Sequence, residues 1–302
     1  MQLDVALLIN GGHRLPTQQP VHATAESASS EIKEALAESG ANVTVITATD
    51  YIAAVRQIRA CSPDVIFNLA RQYNGQTCRL SQFAAVLNLL NIPCVGAAPR
   101  GLLQTCDKIL AKTLVGLTGT QVPQFVAAEG DDPLVDGKRV SVCMAGNWPI
   151  HVFPVGEPVT LGTEAAPRQD GCRRGKSTVF SLRWRRSRLS AGTLRRLRET
   201  AKRVFVELQL RDCARVDFCL TASDELYFLD ASDCPDWTSS GFGAFAAWES
   251  MSFSQLVRAV IAAAIIRHRR ETGTLRRSTA VKLPVMVAGL GGARALIARS
   301  LQ

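Results

Sequence analysis

The sequence predicts an α/β chain whose amino-terminal part is a parallel βα unit and whose remainder is α+β. Three observations carry this prediction. Short apolar runs alternate with helical patterns over the first hundred residues, two later apolar runs at 214–220 and 226–230 flank a polar turn, and each of those two runs contains an aspartate. Short strands that are apolar throughout and separated by helices belong to parallel sheets covered on both faces, with right-handed crossovers.

Residues 3–9 read as a buried strand ending in Gly11-Gly12, and 24–39 as a helix closed by Gly40. Strands follow at 43–46, 65–67 and 92–95, with helices at 51–60 and 80–90 between them. Ligands of such sheets lie beyond the carboxyl ends of the strands, which places Gly11-Gly12, Asn68 and the 72–79 loop at a candidate cleft. Glycines after a first strand also serve simply to permit a tight turn.

A further helix is expected over 99–116, carrying Asp107, Lys108 and Lys112, followed by a strand at 122–127 and a polar piece at 129–136. Runs 139–145 and 150–155 read as a hairpin turning at Gly146-Asn147. A basic stretch starts as loop over 163–178 and becomes an amphipathic helix ending at 208, with Leu194, Leu197, Ala201, Val204, Phe205 and Leu208 on one face. Strands 214–220 and 226–230 follow, then a loop at 234–241, a helix at 252–268, a basic link and a final apolar segment. A lone carboxylate within a strand is costly to bury. Asp217 and Asp230, on adjacent strands, either share a divalent cation, which prefers oxygen ligands, or lie on a solvated sheet face.

Composition bounds the class. With 302 residues, 47% apolar and 20% charged, the chain suits two or three globular domains and not disorder, collagen or coiled coil. No apolar run reaches the roughly 20 residues of a spanning helix, and the amino terminus lacks a secretory pattern, so no membrane partner and a cytoplasmic location are expected. Nine singly scattered cysteines suit reduced, buried thiols, and no CxxC pair proposes zinc. The histidines at 13, 22, 151 and 268 show no metal spacing; only His13 lies near the expected cleft.

The net charge of +9 is local: residues 168–211 hold 14 Lys/Arg against three acids, and the rest of the chain is slightly acidic. That segment contains few aromatics for base stacking, and a charge run is usually a solvated face, so nucleic acid is not expected as a partner. Residues 171–178 miss the phosphate-loop spacing by one residue and follow no strand; 289–293 imitate a dinucleotide turn with too little chain after it.

The order of segments resembles the ATP-grasp superfamily and, within it, the D-alanine–D-alanine ligases. The matching pieces are Asp64-Val-Ile-Phe-Asn-Leu69, Leu89 to Gly96, Asp107-Lys-Ile-Leu-Ala-Lys112, Val122-Pro123, Val142 to Asn147, Arg211 to Phe218, Tyr227-Phe-Leu-Asp-Ala-Ser232 with Pro235 and Thr238, and Met251 to Leu256. They span most of residues 1–268 in the right order. The resemblance implies a pre-ATP-grasp, Rossmann-like domain over 1–98, a truncated ATP-grasp domain over 99–268 and a carboxy-terminal extension over 269–302. It implies ATP-dependent ligation of a carboxylate to an amine through an acylphosphate, with ATP and Mg²⁺ as cofactors and small amino acids as substrates. It makes Lys108 the lysine near the nucleotide phosphates, Arg215 the arginine that stabilises the tetrahedral intermediate, and Asp217, Asp230 and Ser232 the metal ligands. Ser239 or Ser240 falls in the loop for the second substrate's carboxylate.

Departures from the family pattern raise a second reading. Asp230 stands where the family has glutamate, Ser232 where it has asparagine and Asp236 where it has glycine. Only about a dozen residues separate 122–127 from 139–145, where the family has a second phosphate-binding lysine, a phosphate loop and a hinge strand. Two expectations therefore stand side by side: a ligase with weakened or altered activity, and a pseudoenzyme that binds or regulates. Homodimerisation is one way in which a shortened lobe could be completed.

Overall fold

A computed structural model describes residues 2–10, 22–70, 79–123, 135–160, 182–233 and 235–273. The amino-terminal part is a parallel sheet of β1 (Asp4–Ile9), β2 (Asn42–Thr47), β3 (Val65–Asn68) and β4 (Cys94–Val95) in the order β2-β1-β3-β4. Its helices are α1 (His22–Glu38), α2 (Tyr51–Cys61) and α3 (Arg79–Leu89). Alternation along β1 divides the packing. Ala6 and Leu8 meet Ile58 of α2 and Phe83 of α3 on one face, whereas Val5 and Leu7 meet Ile32 and Leu36 of α1 on the other.

The span expected as one helix over 99–116 is two, α4 (Pro99–Cys106) and α5 (Lys108–Leu117). The break is Asp107, whose extended backbone and carboxylate cap α5 by accepting from Ile109 and Leu110 N–H groups. An aspartate at that position competes with helix continuation and favours a new start.

The second sheet is antiparallel. It contains β5 (Lys138–Ala145), β6 (His151–Val152), β7 (Gly156–Thr160), β8 (Leu182–Arg186), β9 (Cys213–Leu220) and β10 (Leu226–Ser232), ordered β10-β9-β5-β7-β8, with β6 pairing β5. The strand expected at 150–155 is shorter and is succeeded by β7; β8, within the basic stretch, was not anticipated. Residues 122–127 do not show the expected strand within the described part: Gln121 makes one isolated parallel bridge to Tyr227, and 124–134 lie outside the described residues. So do Gly11-Gly12, His13, 72–78, the whole of 163–178, and 274–302 with the glycines of 289–293.

Helix α6 (Ala191–Glu207), capped by Ser190, covers one face of this sheet. Leu197, Ala201, Val204 and Phe205 pack there on Val140, Val142, Val216, Phe218 and Phe228. Short helix α7 (Phe242–Ala247) precedes α8 (Phe253–Glu271), which starts with a capping box between Ser252 and Gln255. Helix α8 is buried on most of its circumference because it returns to the parallel sheet, packing on α1, β3 and β4. The core beneath it runs from Leu7 and Phe67 through Trp237 and Phe242 to Cys143 and Phe153, and so joins the two sheets. No helix among the described residues is long and apolar enough to cross a membrane.

Candidate active site

Strand register builds a polar face on the antiparallel sheet. On β9, Ala214, Val216, Phe218 and Leu220 are buried in the α6 core, which leaves Arg215 and Asp217 on the opposite face. Asp217 stands opposite Ser141 of β5 and opposite Asp230 of β10; Arg215 stands opposite Cys143 and Ser232. The last alignment depends on a β-bulge. Phe228 pairs with Phe218, yet Asp230 pairs with Asp217, so Leu229 is an extra residue on β10. In a regular register Leu229 would stand opposite Asp217, and Asp230, opposite Val216, would fall on the α6 face.

The Asp217 carboxylate is 2% exposed and accepts four hydrogen bonds. Oδ1 takes Ser141 Oγ at 2.6 Å and Arg215 Nε at 3.1 Å, while Oδ2 takes Arg139 Nη2 at 2.6 Å and Arg215 Nη2 at 3.3 Å. Burial opposes its charge, but Arg215, Arg139 and Ser141 overturn that and hold the carboxyl below its ordinary value. Arg215 in turn lies 5.7 Å from the ring centroid of Trp184, which packs on Phe245 of α7. Its guanidinium is thus fixed on one edge by a carboxylate and on one plane by an indole.

Asp230 differs from its neighbour. Burial pushes its carboxyl up, Lys108 pulls it down and Asp217 pushes it back up. Lys108 is the exposed first residue of α5, and α5 packs on β10. On the same face, opposite Arg215, burial drives the Cys143 thiol well above its usual range, which makes it an inert core group.

The structure therefore brings Arg215, Asp217, Asp230 and Ser232 onto one face, with the field of Lys108 reaching Asp230. Ser239 and Ser240 follow the anchoring residue Trp237, whose ring meets Phe67 at 5.0 Å and Phe242 at 5.2 Å. The Ser239 N–H donates to Glu31 of α1 at 2.6 Å, and Ser240 Oγ lies 3.3 Å from Thr238 Oγ1. Arg139, Ser141 and Trp184 are the residues that sequence reasoning missed. Two polar side chains at period two in an otherwise apolar strand, Arg139 and Ser141, were a signal that this face met something polar.

Asp217 does not fit a magnesium shell. Mg²⁺ takes an octahedral set of oxygens in which one or two carboxylates join waters and substrate phosphates, and both oxygens of Asp217 are already engaged by donors. No group of three or more His, Cys, Asp or Glu that could hold a metal occurs among the described residues.

The D-ala D-ala ligase C-terminus family matches residues 181–262. An uncharacterized protein of Sinorhizobium fredii, y4sG, is 24% identical over 260 residues, covering 69% of this chain and 76% of its own. The fold is that of a D-alanine–D-alanine ligase from Bacillus anthracis complexed with ATP, at TM-score 0.70 and 12% identity, covering 90% of this chain and 99% of that one. The Coxiella burnetii D-alanine–D-alanine ligase gives TM-score 0.68 at 16% identity, over 90% and 97% of the two chains. The VanG D-Ala:D-Ser ligase of Enterococcus faecalis gives 0.65 at 16% identity, over 87% and 100%. Such coverage sits loosely with a deleted lobe, and the expected deletion falls where the chain is not described. The family match is confined to 181–262, from β8 into α8, and the solved ligases share the α/β architecture of parallel and antiparallel sheets, so the chain is similar to the D-alanine–D-alanine ligases in its carboxy-terminal part and has their fold.

Proposed function

We propose that the chain is a carbon–nitrogen ligase that joins the carboxylate of one small amino acid to the amine of another at the expense of ATP. The observation that supports this most is the fixed guanidinium of Arg215, braced by Asp217 and stacked near Trp184 on the face that Asp230 and Ser232 share. In the reaction the substrate carboxylate attacks the γ-phosphorus of ATP, ADP leaves, and an acylphosphate forms. The amine then adds to the acyl carbon, loses a proton, and phosphate departs from the tetrahedral intermediate. Negative charge grows on the acyl oxygen during that addition, and a cation already held in place stabilises it without reorganising. Lys108 is assigned to the nucleotide phosphates and the Ser239-Ser240 loop to the second substrate's carboxylate. ATP is the expected phosphoryl donor, and the Bacillus anthracis ligase of the same fold has been solved complexed with ATP.

Phosphate release from ATP with D-alanine, D-serine and related amino acids tests the reading. Amino-acid-dependent release with ligated product is expected; absence of both across the panel would overturn it. One observation favours a second reading, a binding protein without turnover: the fully engaged Asp217 carboxylate. Nucleotide or amino-acid binding without ADP formation would select it.

A further inference from the structure

A divalent ion shared by Asp217 and Asp230 requires carboxylate lone pairs, and Asp217 has none left. An ionised carboxylate offers about four acceptor directions. Here Ser141 and Arg215 use those of Oδ1, and Arg139 and Arg215 those of Oδ2. Arg139 makes one of the two shortest of these contacts, at 2.6 Å. It comes from β5 two residues before Ser141, so both side chains rise from the sheet face that Asp217 occupies. Its guanidinium is permanently charged and spends one Nη2 contact on Asp217, while its side chain stays 49% exposed. The remaining N–H groups of that fork are of the kind that grips phosphate or carboxylate oxygens.

We infer that Arg139 is a built-in cation standing where a carboxylate-held divalent ion would otherwise sit. The β9 face then receives the phosphate or carboxylate of its reactant through Arg139 and Arg215, with no metal at Asp217. This rests on the reading that an anionic reactant occupies the face, but the two fail separately. A guanidinium against a carboxylate excludes a divalent ion twice over: it occupies the oxygens and repels the incoming charge. Even at the dielectric of bulk water, a unit charge about 5 Å away weakens the binding of a divalent ion by about tenfold.

The test is a Mn²⁺ titration of the full nucleotide-free chain, followed by the electron paramagnetic resonance signal of free Mn²⁺. The wild-type chain is expected to show no site that disappears in Asp217→Asn. Arg139→Met removes the charge and also frees one acceptor direction on Asp217 Oδ2, and is expected to gain one Asp217-dependent site at least about tenfold tighter. Arg139→Lys, which keeps the charge, should gain none. A wild-type site abolished by Asp217→Asn overturns the inference and needs no Arg139 variant. So does an Arg139→Met chain that melts cooperatively yet binds no Mn²⁺. In a second arm, fluorescent ATP is titrated with EDTA and then with Mn²⁺; wild-type affinity should change by less than about twofold, and Mn²⁺-dependent affinity lost in Asp217→Asn overturns the inference. If no nucleotide binds under either condition, the ligase proposal fails and the metal titration alone decides the role of Arg139.

Discussion

Arg267 grips Asp212 along one edge of its guanidinium, Nε to Oδ1 and Nη2 to Oδ2, each at 2.9 Å. The side chains are 9% and 0% exposed. Asp212 also accepts from the Gly96 N–H at 3.1 Å and from Asn147 Nδ2 at 2.9 Å, while Arg267 Nη2 donates to the Cys94 carbonyl at 2.9 Å. One carboxylate therefore ties the last strand of the parallel sheet, the β5–β6 turn, the entry to β9 and helix α8 together. The pair lies at the root of the strand that carries Arg215 and Asp217.

Replacing Arg267 by Met should lower unfolding free energy by about 3–5 kcal/mol, because it strands a buried carboxylate. Urea denaturation measures this, and the Arg267→Met/Asp212→Asn pair should lose less than the two single changes added together. A loss below about 1 kcal/mol in the single variant would show that the junction does not depend on the pair.

Arg215→Met is expected to reduce kcat by roughly 100-fold or more, the scale reported for loss of one preorganised donor to an oxyanion, with a smaller change in KM for the amino acid. Steady-state phosphate release resolves the two parameters. An unchanged kcat would remove Arg215 from the chemistry.

Asp230 and Asp217 predict opposite pH behaviour. Asp217 is held below its ordinary value, so its contribution is present at neutral pH and is lost as pH falls through the folded value. Asp230 is raised, chiefly by burial, so the folded state binds its proton more tightly; its contribution is full below the ordinary carboxylate value of 3.8 and is lost as pH rises through the folded value. Asp230→Asn should therefore melt above wild type at pH 7, and the difference should shrink as pH approaches that ordinary range. Thermal melts across this range check it, and a variant that melts below wild type at neutral pH contradicts it.

Trp237→Ala should cost about 3–5 kcal/mol, as for other large buried aromatics, since the ring fills the space between Phe67 and Phe242 at 2% exposure. The same change releases the loop that leads to Ser239 and Ser240. Faster protease cleavage there than at α8 is the expected second sign, and unaltered cleavage would mean that Trp237 does not anchor the loop.

Much of the fold was legible because its signals are local. The alternation of β1 between two cores, the helix ending at Gly40 and the paired runs around Asp217 and Asp230 all follow from side-chain period and turn residues. The break at Asp107 was missed because the apolar pattern continues through it, and a single cap decides the matter. Strand β8 was missed because its arginines hide the alternation; it is held instead by pairing to β7 and by Arg185 reaching buried Glu157 at 2.8 Å.

The sequence by itself determined the α/β class, the ligase-like order of segments and the placing of Arg215, Asp217 and Asp230 on two neighbouring strands. Those depend on composition and spacing along one chain direction. Only the tertiary structure decided what these groups face. The bulge at Leu229 turned Asp230 toward Asp217, and register with β5 brought Arg139 and Ser141 onto the same carboxylate. A carboxylate binds whichever cation reaches it first in space, and strand register, which no single strand encodes, supplied a guanidinium there.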